Sequence, residues 1–504
     1  MDARAPHFIL ASSPSCRVLD RFSDLPDDIP VDEDALGRFP FWPLLGHLLQ
    51  RPISSTKQFI DVLQTIGATA ESTPRNDYLF LQRFLAKAQV ETEDAFLNST
   101  WPKLRDIALD LPHYFPEARL CLLEPGQPLR LSRGQVACLV VHQFLCSTIQ
   151  QRHDGGYQDF GIWYSSEQRH PSAVEMYLTA LFAYFLSLPP ALALMREHES
   201  CPSDDDDRFV TYLLHQGPKK ASLEGVALGP VSVDYLKKHS TDSHLPEVQG
   251  SKGGVVVSAN KVIGFGQSAT QEEVFVGIAP EACPVVLVAP HLTNETVVRV
   301  SGARAMLNVV GQRRDIAWTV RRLGDDGKWH GGRLIFMDAL EMDMAEAEAA
   351  ESTLLPDLVP GNIDREVHKA QTGFETLRLG LGHPAVSSEG GAVTVRTGLW
   401  GCGAFCGDAA VKVLVLWLAA SAAGVRLNLM LSEGDQHEIG RRFEELVRAC
   451  GRHRVSAMAM RQLLSEVPKG LRRMSILEWS VSAISCKLKQ GRACEGGGDD
   501  LGRL

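Results

Sequence analysis

Hydrophobic and polar positions change rhythm along this chain. Up to about residue 200 they recur at helical spacing. "LSRGQVACLVVHQFLCSTIQ" places Val136, Leu139, Val140 and Phe144 on one face, and Ser132 with Gln135 three residues on forms a capping box at its start. "HPSAVEMYLTALFAYFLSLPP" reads as a second helix, entered near Pro171-Ser172 and stopped by Pro189-Pro190. His142, on a largely apolar helix, reads as a hydrogen-bonded core residue. From about 225 onward short β-rich runs take over: "GGVVVSAN", "EEVFVGI", "CPVVLVAP", "ETVVRVSG", "GRLIFMDAL", "GAVTVRTG" and "RLNLML". Helical stretches lie between them, among them "DREVHKAQTGFETLRLG", "DAAVKVLVLWLAASAAG" and "HEIGRRFEELVRAC". This alternation predicts a mixed or parallel sheet sandwiched by helices.

Composition narrows the function. A net charge of -10 over 504 residues argues against a general nucleic-acid clamp, while leaving room for a polyanion held by local loops. No run of 18 apolar residues occurs, so no membrane span is expected, and the N-terminus lacks the basic start and apolar core of a signal peptide. Eleven cysteines without a CxxC pair read as reduced thiols, with no metal site. Asp204 to Asp207 read as a solvated loop, 342–352 as an acidic surface insertion, and "EGGGDDLGRL" as a disordered tail.

Two glycine loops carry the candidate chemistry. In "KVIGFGQSATQEEVFVG", Glu272 and Glu273 stand where a glycine loop meets an apolar run read as a strand. A regular strand would point the two carboxylates to opposite faces, so a loop or bulge is needed to aim both into one cleft. The second loop, "AVTVRTGLWGCGAFCGDAAVKVLVLWLAA", is a strand, a turn with Gly398, Gly401, Gly403 and Gly407, and a helix that Asp408 can cap. Such a turn suits a phosphate or pyrophosphate. By itself its spacing also approximates a dinucleotide fingerprint, which keeps a nicotinamide-dependent oxidoreductase as an alternative. That alternative is weakened by the unit's late place in the chain and by acids, Glu433 and Asp435, that come too far on.

Taken together, Gln271-Glu272-Glu273 after a glycine loop and "TGLWGCGAFCGD" (397–408) resemble the catalytic domain of the poly(ADP-ribose) glycohydrolase family. "SAN" at 258–260 resembles the start of that family's signature, and "WPKLRDIALDLP", "LSRGQVACLVVHQFLCSTI" and "LFAYFLSLP" resemble its helical domain. The resemblance runs from roughly residue 95 to 465. It implies a macrodomain-like α/β fold, a mixed sheet sandwiched by helices, preceded by an all-α accessory domain. The implied division is 1–215 helical, 216–490 catalytic and 491–504 a disordered tail.

The implied activity is cleavage of the ribose–ribose bonds of poly(ADP-ribose), with ADP-ribose as product and ADP-ribosylated proteins as partners. A role in the DNA damage response and a nuclear or cytoplasmic monomer follow from the same resemblance, with no cofactor, metal, membrane or direct nucleic-acid contact. By position, Glu273 becomes the general acid/base, and Glu272 holds ribose hydroxyls with Asn260 nearby. Gly264, Phe265 and Gly266 line the distal ribose and phosphate. Gly403, Ala404 and Phe405 cradle the pyrophosphate beside Gly401 and Cys402, and Gln271 sits near the adenine or the loop beneath it. The chain departs from the pattern at Phe265, inside the family's triple glycine, and at Val257, where the family has an acid. It departs again at Val309, where the family has an adenine-stacking tyrosine, and on the strand at 426–431, which lacks the later aromatic. Two readings remain: an active glycohydrolase with an altered adenine pocket, or an ADP-ribose reader without turnover. Retention of both glutamates favours the enzyme.

Overall fold

The computed structural model describes residues 7–495 apart from 21–31, 71–76, 150–156, 197–207, 220–221, 237–252, 312–315, 322–331, 343–354, 380–392 and 435. The acidic run at 204–207 and nearly all of the acidic stretch at 342–352 therefore lie outside the described residues. So do 496–504, although the last helix continues to Glu495 and takes in the start of the expected tail.

The N-terminal part packs helices Phe41–Gln50, Thr56–Ala70, Leu79–Ala86 and Trp101–Leu109 against two others, α1 (Arg133–Phe144) and α2 (Pro171–Ser187). The capping box is formed as the sequence predicts: Ser132 Oγ accepts from Gln135 N, and the Gln135 side chain accepts from Ser132 N. His142 is a core residue, with Nδ1 on Ser147 Oγ at 2.7 Å and Nε2 on the Ala108 carbonyl at 3.1 Å. Burial pushes its pKa down to about 4.

The main sheet has eight strands: β1 (Pro128–Ser132), β2 (Phe209–Gln216), β3 (Val231–Leu236), β4 (Gly254–Ala259), β5 (Thr296–Ala303), β6 (Gly332–Asp338), β7 (Thr394–Thr397) and β8 (Arg426–Ser432). Their order is β1-β2-β5-β6-β4-β7-β8-β3. From β6 to β3 the strands run parallel, while β1, β2 and β5 pair antiparallel. β1 comes from the segment whose pattern reads as helical and β2 from just after it, so the sheet takes its antiparallel edge from chain that precedes the expected β-rich part.

Side-chain alternation along the strands builds two cores. Val255, Val257 and Ala259 face the helical domain, and Val256 faces the opposite layer. That layer is α4 (Pro360–Glu375), α5 (Ala409–Ala423), α6 (His437–His453) and α7 (Met474–Glu495).

Two runs read as strands are helical instead. "EEVFVGI" lies in a helix, α3 (Gln271–Ile278), and "CPVVLVAP" supplies a helical turn at Val285–Val288. Their valines favour strands only where a pleated neighbour exists to receive them. At Gln271 a cap decides otherwise: Thr270 Oγ1 accepts from Glu273 N, and the Glu273 carboxylate accepts from Thr270 N. Thr270-x-x-Glu273 ahead of an apolar run is the readable sign of that helix start.

Candidate active site

The two glycine loops leave the C-terminal ends of β4 and β7, which are adjacent and parallel. In an open α/β sheet this edge is where ligands bind. The sheet thus brings the carboxylate loop and the amide loop to neighbouring positions on one edge.

The first loop is organised by the helix it enters. Consecutive helical residues point about 100° apart, so Gln271, Glu272 and Glu273 take three directions from the first turn. Gln271 Oε1 accepts from Ser258 N at 3.0 Å and ties the helix start to the end of β4. Glu272 turns inward, 3% exposed, and its two oxygens accept from Asn260 N at 2.8 Å and Gly264 N at 3.0 Å. Glu273 stays half-buried, with Oε2 accepting from Ser268 N at 2.7 Å and Thr270 N at 3.1 Å. Its Oε1 reaches over Gly266: a Cβ built on that glycine would lie 1.8 Å from it.

Several expectations change here. The two carboxylates do not share the cleft through a loop or bulge; the helix sends one down and one up. Phe265 does not line the ligand side. It is 7% exposed and packs edge-on against Phe160 and Trp163, at centroid distances of 5.0 and 5.4 Å. Val309 is buried on a separate hairpin, paired with Trp318, and presents no open surface to a base. Gln271 accepts from the Ser258 amide with its Oε1, at the end of β4.

The second loop is held from below. Trp400 is buried and donates its indole N–H to the Met337 carbonyl at 3.0 Å, fastening the loop to the end of β6. Gly407 N closes the turn on Gly401 O at 3.0 Å, and Phe405 O accepts from Met342 N. Gly401 has φ +76, and a Cβ there would meet Ala339 Cβ at 2.7 Å. Asp408 caps α5 as the sequence predicts, with Oδ1 accepting from Ala410 N at 2.9 Å. Gly403 and Ala404 are exposed and Phe405 half-exposed at the tip. Among the described residues, nothing takes the N–H groups of these three. Successive free amides ahead of a helix N-terminus are of a kind suited to an anion. Burial pushes the Cys402 thiol up to about 12.

A buried ionic cluster beneath this loop went unread in the sequence. Lys412 of α5 pairs with Glu366 of α4 and stands 3.8 Å from Asp357. Asp338, at the end of β6, pairs with Arg365 and with Lys369 at 2.5 Å. Asp357 in turn accepts from Asp408 N at 3.1 Å, and Glu366 from Leu340 N at 3.0 Å. Burial raises Asp357 to about 6, against the opposing pull of Lys412. The cluster joins the loops after β6 and β7 to two helices. Its only signal is charge on the inner faces of α4 and α5, which a single sequence does not separate from a solvated face. Among the described residues no group of side chains could hold a metal ion, the nine cysteines whose side chains are described are free, and no helix is long and apolar enough to cross a membrane.

A mixed sheet that delivers a carboxylate-bearing helix and an amide cradle to one edge, behind a helical domain, defines a macrodomain-fold enzyme with a helical partner domain. Residues 233–438 match the family model for the macrodomain fold of poly(ADP-ribose) glycohydrolase, and 88–211 match the model for its helical domain. The chain belongs to the poly(ADP-ribose) glycohydrolase family and is a glycohydrolase acting on poly(ADP-ribose). Among solved structures it is similar to the Deinococcus radiodurans glycohydrolase in complex with ADP-ribose: 17% identity, 44% of this chain and 86% of that chain covered, TM-score 0.27. A point mutant of the same Deinococcus radiodurans protein, also in complex with ADP-ribose, gives 16% identity, coverages of 49% and 88%, and a TM-score of 0.24. The family assignment rests on the two family models and not on these superpositions.

Proposed function

We propose that this enzyme cleaves the ribose–ribose O-glycosidic bonds of poly(ADP-ribose), with Glu273 as the single acid/base. The observation that carries the reading is the placement of Glu273. Two backbone N–H groups fix one oxygen, and the other projects over the only residue type that leaves it room, Gly266. In the forward step the Glu273 carboxyl gives its proton to the departing ribose oxygen as the bond to the anomeric carbon breaks. The oxocarbenium-like centre is then attacked by water, whose proton returns to Glu273. The products are ADP-ribose and a polymer one unit shorter. The Gly403–Phe405 amides hold the pyrophosphate, and Glu272 shapes the ribose site by pinning the Asn260 and Gly264 amides.

The test is Glu273→Gln, which keeps the shape and can neither give nor take the proton. ADP-ribose release should fall by at least about 10²–10⁴-fold, with ADP-ribose affinity within a few-fold of the parent. Near-normal hydrolysis by this variant removes the mechanism. A parent protein that binds ADP-ribose and releases none is a reader.

A further inference from the structure

The loop that presents Glu273 is gripped from outside its own domain. Trp163, 1% exposed in the turn Phe160–Trp163, donates its indole N–H to the Gly266 carbonyl at 2.9 Å. Gln267 Nε2 returns a bond to the Ile162 carbonyl at 2.7 Å. Phe265 is wedged edge-on against Phe160 and Trp163. Tyr177 of α2 packs against Gly277, one helical turn on from Glu273, so that a Cβ on Gly277 would meet the ring at 2.3 Å. Burial, and then the Glu273 charge, hold the Tyr177 phenol well above its ordinary range, in keeping with a ring set beside that carboxylate.

The gripped segment needs holding. Gly264 and Gly266 offer no side chain to anchor it, and Ala269, φ +54, sits in the left-handed region that an L residue disfavours. Glu272 pins the Gly264 amide on one side, and Glu273 pins the Ser268 and Thr270 amides on the other. Between them, the Gly266 carbonyl is held by Trp163. Because Glu273 Oε1 occupies the space where a Gly266 Cβ would be, a small slip of Gly266 displaces the acid. We propose that the helical domain sets the position of the acid/base glutamate, with Trp163 as a positioning residue that locks the glycine loop through Gly266. This rests on the reading of Glu273 given above.

Trp163→Phe keeps an aromatic ring in the cluster and removes the N–H. Tyr212→Phe is the matched control, since Tyr212 O–H donates to the Glu281 carbonyl at 2.5 Å, equally buried and away from the loop. Expected for Trp163→Phe is a kcat for ADP-ribose release lower by about tenfold, from the lost bond and the shifted acid. KM and ADP-ribose affinity should stay within about twofold, and amides of 264–270 should exchange hydrogen faster. Tyr212→Phe should change neither kcat nor that exchange. Gln267→Met, which removes the reciprocal bond from a half-exposed residue, should give a weaker form of the same effect and serves if Trp163→Phe does not fold. Unchanged kcat and unchanged loop exchange in these variants overturn the proposal, as does a loss shared equally with Tyr212→Phe. If the parent protein releases no ADP-ribose, the acid/base reading fails, and the exchange measurement still decides whether Trp163 holds the loop.

Discussion

Replacing Gly266 by alanine should separate activity from stability. The added Cβ would sit 1.8 Å from Glu273 Oε1 and 2.4 Å from its Cδ. Ordinary non-bonded separation is about 3.5 Å, so the carboxylate must retreat by roughly 1.7 Å. It is the far end of a flexible side chain, and Gly266 does not have a positive φ, so the backbone tolerates alanine. The stability cost is the loss or weakening of two N–H bonds to Oε2, about 0.5–1.5 kcal/mol each. Restricting the unfolded chain returns about 0.4–1 kcal/mol of that. The net should be between about 0 and 2.6 kcal/mol. Activity is another matter, since a misplacement of about 1 Å can cost about 10²-fold. ADP-ribose release from purified polymer should therefore fall by at least about 100-fold, with a cooperative unfolding transition close to the parent's. The pair Gly266→Ala and Glu273→Gln should be strongly non-additive, the double variant being no worse than Glu273→Gln alone. A kcat for Gly266→Ala within about threefold of the parent would refute the placement of the acid.

Two further outcomes follow from buried charge. Lys412→Met leaves Asp357 without its nearest cation and Glu366 with Arg365 alone, and should cost up to about 3–5 kcal/mol by chemical denaturation; adding Glu366→Gln should restore part of that loss, and no restoration would mean that the pair is not coupled. His142 has its folded pKa lowered to about 4, so between that value and about 6.5 the unfolded chain takes up a proton that the folded one refuses. Its contribution is whole above about pH 6.5 and declines to a loss of roughly 3 kcal/mol by about pH 4. Urea unfolding at several pH values should show a flatter acid limb for His142→Gln than for the parent.

Much of this architecture was legible. The capping box at Ser132, the Pro stops and the runs at 254–259, 296–303 and 426–432 are local signals, and they place those helices and strands where they occur. The two glycine loops were readable as a pair, because their residues carry a family pattern that neither loop carries alone. One misreading was local: Val274 and Val276 look like strand residues, and the Thr270–Glu273 capping box that starts their helix went unread. The others came where distant parts of the chain decide. Phe265, set between two glycines, looks like part of a ligand loop until Phe160 and Trp163, about a hundred residues earlier, supply a pocket for it. Glu366, Lys369 and Lys412 look like surface charge because their partners lie on other elements.

The edge of the sheet carries one more consequence, for the order in which the chain is made. β1 lies inside the segment matched by the helical family model, and β2 begins inside it, yet both hydrogen-bond into the catalytic sheet through β5. Glu281, fully buried, is likewise shared between Arg133 on α1 and Arg304 just past β5. Burial alone would raise this carboxyl, but the two guanidinium groups outweigh that and hold it below its ordinary value. During synthesis, β1 and β2 leave the ribosome well before residues 296–303 and must wait for them with a raw hydrogen-bonding edge, the kind of surface that recruits other chains. A cut after residue 216 would leave the same edge on both pieces, along with an orphaned charge. The seam between the two family units is therefore a shared ladder rather than a linker, and neither piece comes away as a finished protein.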